Sequence, residues 1–145
     1  MTIIRELNAD NDVDGILVQL PLPKHINEHH IIEAILPEKD VDAFHPCNVG
    51  HMWLKQPTVL PCTPKGIIKL LKESGTELAG KEVVVVGRSN IVGKPLAAMM
   101  TAADATVTLC HSKSKLSHHL YNADLIVTAV GKAGFLNCYP IHVPV

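Results

Sequence analysis

The sequence predicts an α/β protein whose second half forms a parallel β-sheet. Three short runs of β-branched and apolar residues in that half alternate with helical segments, which is typical of a parallel sheet with right-handed crossovers. The first of these runs ends in a glycine-containing turn that leads directly into a helical segment. Apolar residues make up 47% of the 145-residue chain and charged residues 19%, so the chain can form a packed core.

Charge and hydropathy exclude several classes of protein. The formal net charge of −1 leaves no basic excess for binding nucleic acid. No apolar run approaches the roughly 18 residues that a membrane helix requires. The segment Met1–Glu6 lacks the order of charged, apolar and small residues found in secretion signals. We therefore expect a cytoplasmic protein with neither a membrane nor a nucleic-acid partner.

The spacing of cysteines and histidines predicts neither a metal site nor a disulfide. The four cysteines lie far apart and form no C-x-x-C pair, so reduced thiols are expected. The adjacent pairs His29-His30 and His118-His119 cannot each place both rings on one helical face. The cysteines are Cys47, Cys62, Cys110 and Cys138.

The first part of the chain is predicted to contain one strand–loop–helix unit. A helix ends near Leu7 and is followed by turn-forming residues. The apolar run Ile16–Val18 has the character of a buried parallel strand, and Pro21 prevents its continuation. Asn27 is a suitable N-cap for a helix that extends through Ile35.

An irregular segment and a further helix connect the two parts. Residues Lys39–Pro64 show no sustained period, so a long functional loop is expected there. Thr63 is then predicted to cap a helix over Gly66–Glu73. The predicted domains are residues 1–60 and 61–145. The predicted buried residues of the connecting helix are Ile67, Leu70 and Leu71.

Predicted strands and helices alternate regularly through the second part of the chain. This order is the architecture of a dinucleotide-binding domain. The predicted elements are a strand over Glu82–Gly87, a helix over Val92–Met100, a strand over Ala105–Leu109, a helix over Lys115–Tyr121 and a strand over Asp124–Ala129.

The turn after the first predicted strand has features of a phosphate-binding turn. It runs from Gly87 to Pro95 without the usual G-x-G-x-x-G spacing, and Ser89 takes the middle position. Gly87 permits a tight turn, the helix start offers free backbone N–H groups to a pyrophosphate, and Gly93 allows close packing on the sheet. An ordinary strand–turn–helix connection would use the same glycines, so the turn alone leaves both alternatives open.

The residues after the second predicted strand favour NADP over NAD. NAD-binding domains usually place an acid there to hold the ribose 2′-hydroxyl. The segment Cys110–Lys115 instead carries cations and hydroxyls, including Ser112, and no carboxylate, which suits a 2′-phosphate. Arg88 in the first turn could make a charge-assisted contact with that phosphate. The alternative is that Arg88 and Lys113 only solvate the surface.

Candidate catalytic residues lie in the first part of the chain. Gln19 follows a predicted parallel strand at its carboxyl end, where open α/β sheets bind ligands, although it could simply cap the strand. Asp40 and Asp42 are spaced i, i+2, so they share a face in extended backbone. In a turn they would instead accept from local N–H groups. The spacing alone identifies no substrate.

Five motifs occur in order along the chain: GILVQLPLP, PEKDVDAFHPCNVG, PCTPKG, VVVVGRSNIVGKPLA and ATVTLCHSKS. Together they closely resemble the bifunctional methylenetetrahydrofolate dehydrogenase/methenyltetrahydrofolate cyclohydrolase family, over Leu7 to Leu136. The resemblance implies part of an α/β catalytic domain followed by a Rossmann-like parallel-sheet NADP-binding domain. It also implies NADP-dependent oxidation of 5,10-methylenetetrahydrofolate to 5,10-methenyltetrahydrofolate, and hydrolysis to 10-formyltetrahydrofolate, within one-carbon metabolism and purine biosynthesis.

The resemblance further implies residue roles and a homodimer. Gln19 matches the glutamine of the VQLPLP motif, which supports the family's catalytic lysine. Asp42 matches the aspartate of the KDVDG motif, which holds the pterin ring of the folate. The turn Gly87–Ser89 matches the turn on the cofactor phosphates, and Ser112 matches the serine of CHSK that helps to bind NADP.

Three departures from the family pattern occur, and the first two suggest a chain truncated at both ends. The Tyr-x-x-x-Lys segment with the catalytic lysine has no counterpart before Gln19, and the PVPGGVGP segment is missing while Asn137–Val145 matches nothing expected. Ala43 replaces the glycine of KDVDG, which would cost about 1 kcal/mol if its φ is positive. The alternative function is a non-catalytic dinucleotide-binding fragment or pseudoenzyme. An unrelated NADP oxidoreductase is disfavoured by the paired PLP, DVD and CTP motifs.

Overall fold

The protein is described from a computed structural model that covers residues 1–57, 59–137 and 139. The chain divides into two compact units, Met1–Cys62 (unit 1) and Thr63–Val145 (unit 2). None of the helices in the described part of the chain has the length and apolar content needed to cross a membrane. In chain order the elements are α1 (Thr2–Ala9), α2 (Glu28–Ala34), a 3₁₀ turn (Pro37–Lys39), α3 (Pro46–Trp53), α4 (Cys62–Glu73), β1 (Glu82–Val86), α5 (Gly93–Ala102), β2 (Thr106–Cys110), α6 (Leu116–Leu120) and β3 (Leu125–Thr128).

Unit 1 contains a small apolar core at which α1, α2 and the chain between them meet. Its buried members are Ile4, Ile16 and Ile35. The predicted N-cap of α2 is confirmed, because the Asn27 side chain accepts a hydrogen bond from the His30 N–H at 3.2 Å.

The predicted strand over Ile16–Val18 is wrong beyond its first residue. Ile16 forms a single parallel bridge with Asp40, and its N–H donates to the Lys39 carbonyl at 2.7 Å. Leu17 is 60% exposed. The ladder stops after one bridge because the partner segment turns away after Asp40 towards α3.

The segment predicted to be irregular contains the helix α3. Pro46 occupies its first turn, and the His45 Nδ1 accepts from the Cys47 N–H at 3.2 Å, which caps the helix. Asn48 and Met52 are its buried residues. The apolar period is too short over eight residues to be recognised in the sequence, but proline at the first helical position was an available signal.

Helix α4 confirms the predicted helix, but it starts at Cys62, so Thr63 lies within it and is not its N-cap. The prediction that Leu70 is buried is also wrong. Leu70 is 68% exposed, whereas Ile68 and Leu71 pack on the core of unit 2. With about 100° of rotation per residue, the face centred between Ile68 and Leu71 places Leu70 on the solvent side.

Unit 2 is built on a three-stranded parallel sheet in the order β2-β1-β3. Alternate side chains of the central strand point to opposite faces. Val83 and Val85 pack in a cluster with residues of α4 and α5, and Val84 and Val86 pack with residues of α6. Helices therefore cover both faces of the sheet, which confirms the predicted α/β class.

The described cysteines are all free thiols. Cys47 and Cys62 are exposed and Cys110 is buried, and burial raises the pKa of the Cys110 thiol. Cys138, the fourth cysteine of the sequence, and most of the atypical tail lie outside the described residues.

Candidate functional site

A cavity of about 320 Å³ lies at the carboxyl ends of all three strands of unit 2. Most of its lining residues lie at or just past the ends of β1, β2 and β3, where open parallel sheets bind ligands. A cavity of this size is at the lower end of the range for small-molecule sites. It is lined by Val86, Gly87, Arg88, His111, Ser112, Val130 and Phe135.

Gly87 is required by the turn that forms the floor of this cavity. Its φ is +124°, and a Cβ there would lie 2.5 Å from the carbonyl oxygen of Ala129. The Gly87 N–H donates to the Cys110 carbonyl at 2.9 Å, and the Ala129 N–H donates to the Val86 carbonyl at 2.7 Å. The turn is thus held between β2 and β3, and only glycine fits.

Gly93 allows α5 to start directly against the same turn. A Cβ on Gly93 would collide with the carbonyl oxygen of Gly87 and would lie 2.6 Å from its carbonyl carbon. Gly93 therefore makes a close approach as predicted, but to the turn after β1 and not to the sheet. Pro95 lies in the first turn of α5, where a missing N–H is tolerated.

The prediction that the start of α5 offers free N–H groups is wrong. The Ser89 Oγ accepts from the N–H groups of Val92 (3.1 Å) and Gly93 (3.4 Å), and the Ser89 carbonyl accepts from Lys94 (3.0 Å). Among the described residues, the backbone N–H groups of Arg88, Ser89 and Asn90 have no hydrogen-bond partner. Donors for an anion therefore lie in the turn itself, before the helix, and the Ser89 Oγ accepts from the N–H groups where α5 begins.

The cavity presents hydrogen-bond donors and no carboxylate. The side chains of Arg88 and Ser112 are exposed and form no hydrogen bonds within the described part of the chain. His111 is held in place, because its Nδ1 accepts from the Lys113 N–H at 3.2 Å and its own N–H donates to the Ser114 Oγ at 3.0 Å. The structure thus brings Gly87, Arg88 and Ser112 together, whereas Ser89, Gly93 and Lys113 do not line the cavity.

Four lining residues were missed in the sequence: Val86, His111, Val130 and Phe135. His111 is the first residue after β2, and Val130 is the second after β3. The rule that residues just past parallel strands line the ligand site would have found both. Phe135 is contributed by a turn beyond β3, and no local pattern indicates it.

In unit 1 the two predicted catalytic residues, Gln19 and Asp42, follow the two segments that are joined by the parallel bridge between Ile16 and Asp40. Gln19 lies three residues after Ile16, and Asp42 lies two residues after Asp40, so both follow the same end of the bridge. Gln19 is exposed, and its Nε2 donates to the carbonyl of Leu20 at 3.1 Å. No hydrogen bond joins Gln19 to Asp42 in the described residues.

The two carboxylates of this region have different environments. Asp40 is buried and accepts local hydrogen bonds, as the turn alternative predicted. Asp42 is half-buried, and the pKa of its carboxyl is raised by burial and, to a lesser degree, by the negative charge of Asp40. The following residue, Ala43, is fully buried with φ +56°, so it pays the left-handed backbone cost of about 1 kcal/mol.

Comparison with known proteins identifies the family. The model of the tetrahydrofolate dehydrogenase/cyclohydrolase NAD(P)-binding domain matches residues 61–142, and the model of the catalytic domain of the same enzymes matches residues 1–42. The chain belongs to the tetrahydrofolate dehydrogenase/cyclohydrolase family. The resemblance carried by the five sequence motifs is thereby confirmed.

Individual relatives of this family agree with the match. The chain is 56% identical over 134 residues to the bifunctional protein FolD of Brevibacillus brevis, with 92% of this chain and 47% of that protein covered. The crystal structure of the bifunctional enzyme FolD from Campylobacter jejuni is 52% identical with a TM-score of 0.86, covering 90% of this chain and 47% of that one. The chain therefore spans about half the length of the relatives it matches.

A third relative carries a bound dinucleotide. The enzyme from Trypanosoma brucei, solved in complex with NADP and an inhibitor, is 38% identical with a TM-score of 0.85. The match covers 90% of this chain and 46% of that one. These similarities confirm the fold class predicted for both parts of the chain.

No cluster that could hold a metal ion is found in the described ranges. Among residues 1–57, 59–137 and 139, no three His, Cys, Asp or Glu side chains lie together in a way that could hold a metal ion.

Proposed function

We propose that unit 2 binds NADP, with the 2′-phosphate between Arg88 and Ser112. The observation that carries this proposal is the cavity at the carboxyl ends of the strands, which offers donors and no acid. A carboxylate would be needed to hold the free 2′-hydroxyl of NAD. The guanidinium of Arg88 offers a planar pair of donors that matches phosphate geometry, and the Ser112 hydroxyl adds a further donor.

The described residues fit such a cofactor in a second respect. The N–H groups of Arg88, Ser89 and Asn90 are unpartnered within the described residues, and Gly87 allows the backbone to approach a ligand closely. We propose that this turn binds the pyrophosphate. The proposed cofactor-binding residues are therefore Gly87, Arg88, Ser89 and Ser112, with Gly93 in a packing role.

We further propose an enzymatic function in which 5,10-methylenetetrahydrofolate is oxidised to 5,10-methenyltetrahydrofolate. The methenyl product is then hydrolysed to 10-formyltetrahydrofolate. Asp42 would hold the pterin, since an ionised carboxylate accepts hydrogen bonds from ring N–H groups. Gln19 would position the catalytic lysine that the family resemblance implies, which moves protons in the hydrolysis. The nicotinamide, when bound, supplies the hydride acceptor, and the chain contributes orientation of the folate.

The remaining attributes of the whole enzyme follow from the same proposal. They are a folate-binding part in residues 1–60, a cofactor-binding part in residues 61–145, a homodimer, and a place in the cytoplasm and in purine biosynthesis. No partner among nucleic acids is proposed, because the net charge is −1.

A second candidate function is dinucleotide binding without catalysis. It is favoured by two observations: the chain covers nearly half the length of its relatives, and the two donors of the cavity lie entirely in unit 2. Such a protein would bind NADP and leave the folate unchanged.

One experiment distinguishes the two functions. The purified chain is saturated with NADP, 5,10-methylenetetrahydrofolate is added, and the absorbance of the reduced cofactor is followed. Production of reduced cofactor supports the enzymatic function. NADP binding without turnover supports the second function, and absence of NADP binding contradicts both.

A further inference from the structure

The carboxylate of Asp40 closes the loop that contains Asp42. Asp40 is 4% exposed, and a single oxygen of its side chain, Oδ2, accepts two hydrogen bonds. The donors are the backbone N–H of His45 at 2.8 Å and the Nδ2 of Asn48 at 2.9 Å. Both donors lie at the start of α3, so the side chain of Asp40 ties the beginning of the loop to its end.

Asn48 connects the same loop to the chain that precedes it. Its side chain is buried, and its Nδ2 also donates to the carbonyl of Pro37 at 2.8 Å. Both N–H bonds of the amide are therefore used, one to the Oδ2 of Asp40 and one to the carbonyl of Pro37. The loop is held at the 3₁₀ turn, at Asp40 and at α3.

Two further contacts anchor the chain immediately before Asp40. The backbone of Lys39 accepts from the Ile16 N–H, and the Lys39 Nζ donates to the carbonyls of Leu7 (2.9 Å), Asn8 (2.9 Å) and Asp10 (2.6 Å) at the end of α1. A cation at the C-terminal end of a helix is favourable. These contacts hold the loop at both ends of residues 41–44.

Asp42 lies within residues 41–44, and its carboxylate is more available to a ligand than that of Asp40. Its side chain forms no hydrogen bond within the described residues, whereas the Oδ2 of Asp40 is already occupied by two donors. Asp40 is thus poorly suited to bind a ligand directly, and Asp42 is free to do so.

We propose that Asp40 is a positioning residue that fixes the loop presenting Asp42 to the folate. This inference rests on the proposed function of Asp42. The bridge with Ile16 sets the start of the loop, the Oδ2 of Asp40 sets its end, and the carboxylate of Asp42 is held between them. Asp40 acts through hydrogen bonding and does not touch the folate.

The convergence of both bonds on one oxygen gives a sharp test. In Asp40→Asn the single amide oxygen can occupy the position of Oδ2 and accept from both donors. In Asp40→Leu both bonds are lost while the number and branching of the side-chain heavy atoms stay the same. Glu38→Ala is the matched control, because it removes an exposed carboxylate two residues away. Each variant is assayed for affinity to 5,10-methylenetetrahydrofolate and for amide hydrogen exchange over residues 41–48.

We expect the folate affinities of Asp40→Asn and Glu38→Ala to lie within about threefold of that of the parent chain. Hydrogen exchange over residues 41–48 should be unchanged in both. Asp40→Leu should lose on the order of 10- to 100-fold in affinity, as for a misplacement of about 1 Å, and its His45 amide should exchange faster. NADP affinity should stay unchanged in all three. This rescue by asparagine would not occur if the charge of Asp40 itself bound the ligand.

Two results would overturn the inference. One is an Asp40→Leu variant with the folate affinity and His45 exchange of the parent chain. The other is an Asp40→Asn variant as impaired as Asp40→Leu. If the parent chain binds no folate, the proposed function of unit 1 fails, and the exchange of the His45 amide in the two variants still decides whether Asp40 fixes the loop.

Discussion

The contact between Gly93 and the turn after β1 gives the most quantitative prediction for unit 2. An alanine Cβ at this position would lie 2.6 Å from the carbonyl carbon of Gly87 and 3.0 Å from the Cα of Arg88. Carbon atoms pack best about 3.5–4.0 Å apart, so α5 or the turn must move by about 1 Å. All of these atoms are backbone, and no side-chain rotation can relieve the collision.

We expect Gly93→Ala to cost about 1–3 kcal/mol, the usual range for overpacking. For a unit of this size about 1 kcal/mol lowers the melting temperature by about 4–8 °C, so a decrease of roughly 5–20 °C is expected. The displaced turn should also weaken NADP binding by about tenfold or more, since about 1.4 kcal/mol corresponds to a factor of ten. Thermal unfolding followed by circular dichroism and a cofactor titration measure the two effects.

Gly66→Ala is the matched control for this prediction. Gly66 lies within α4, and a Cβ there would meet no atom within 4 Å. Alanine is favoured over glycine inside a helix by about 0.5–1 kcal/mol, so this variant should melt a few degrees higher with unchanged NADP affinity. The reasoning is refuted if Gly93→Ala melts at or above the parent temperature and binds NADP equally well.

Two further predictions concern unit 1. Lys39→Met removes three hydrogen bonds from the ammonium to the carbonyls at the end of α1, so it should destabilise unit 1 by about 1.5–3 kcal/mol. Urea unfolding and hydrogen exchange of the α1 amides measure this effect. Unchanged exchange of those amides would contradict the prediction. Asp42→Asn should raise the free energy of unfolding near neutral pH, because burial and Asp40 raise the pKa of this carboxyl in the folded protein and so penalise its ionised form. That penalty is absent at a pH well below the ordinary pKa of 3.8 and complete at a pH above the raised pKa of the folded protein. Urea unfolding should therefore show that Asp42→Asn is more stable than the parent chain near neutral pH and loses this advantage in acid. A gain that persists in acid would show that ionisation is not its cause.

The strands and the cofactor turn of unit 2 could be predicted from sequence because local patterns specify them. The valine run of β1 alternates between two buried faces, and Gly87 marks a turn with positive φ. Each strand was predicted within one or two residues of its observed limits. The residues after β1 and β2 could be placed at the site because parallel strands end at a common edge.

Other features could not be predicted because they depend on contacts between distant residues. The Ser89 Oγ accepts from the N–H groups of Val92 and Gly93, and nothing in the motif distinguishes this local contact from a phosphate contact. The tether from Asp40 to Asn48 requires α3, which a short proline-initiated segment barely signals. Phe135 reaches the cavity only through the path of the chain after β3.

The most direct test of the central claim is a comparison of NADP and NAD affinities in the parent chain and in Arg88→Leu. Arg88 lines the cavity, whereas Lys113 does not, so Lys113→Leu serves as the control of equal charge. A charged hydrogen-bonded contact contributes about 1.5–3 kcal/mol, so Arg88→Leu should lose about 10- to 100-fold in NADP affinity. Its NAD affinity should change by less than about threefold, and the preference for NADP should collapse while Lys113→Leu keeps it. If Arg88→Leu still prefers NADP as strongly as the parent chain, the 2′-phosphate is not bound by Arg88 and the proposed cofactor site is wrong.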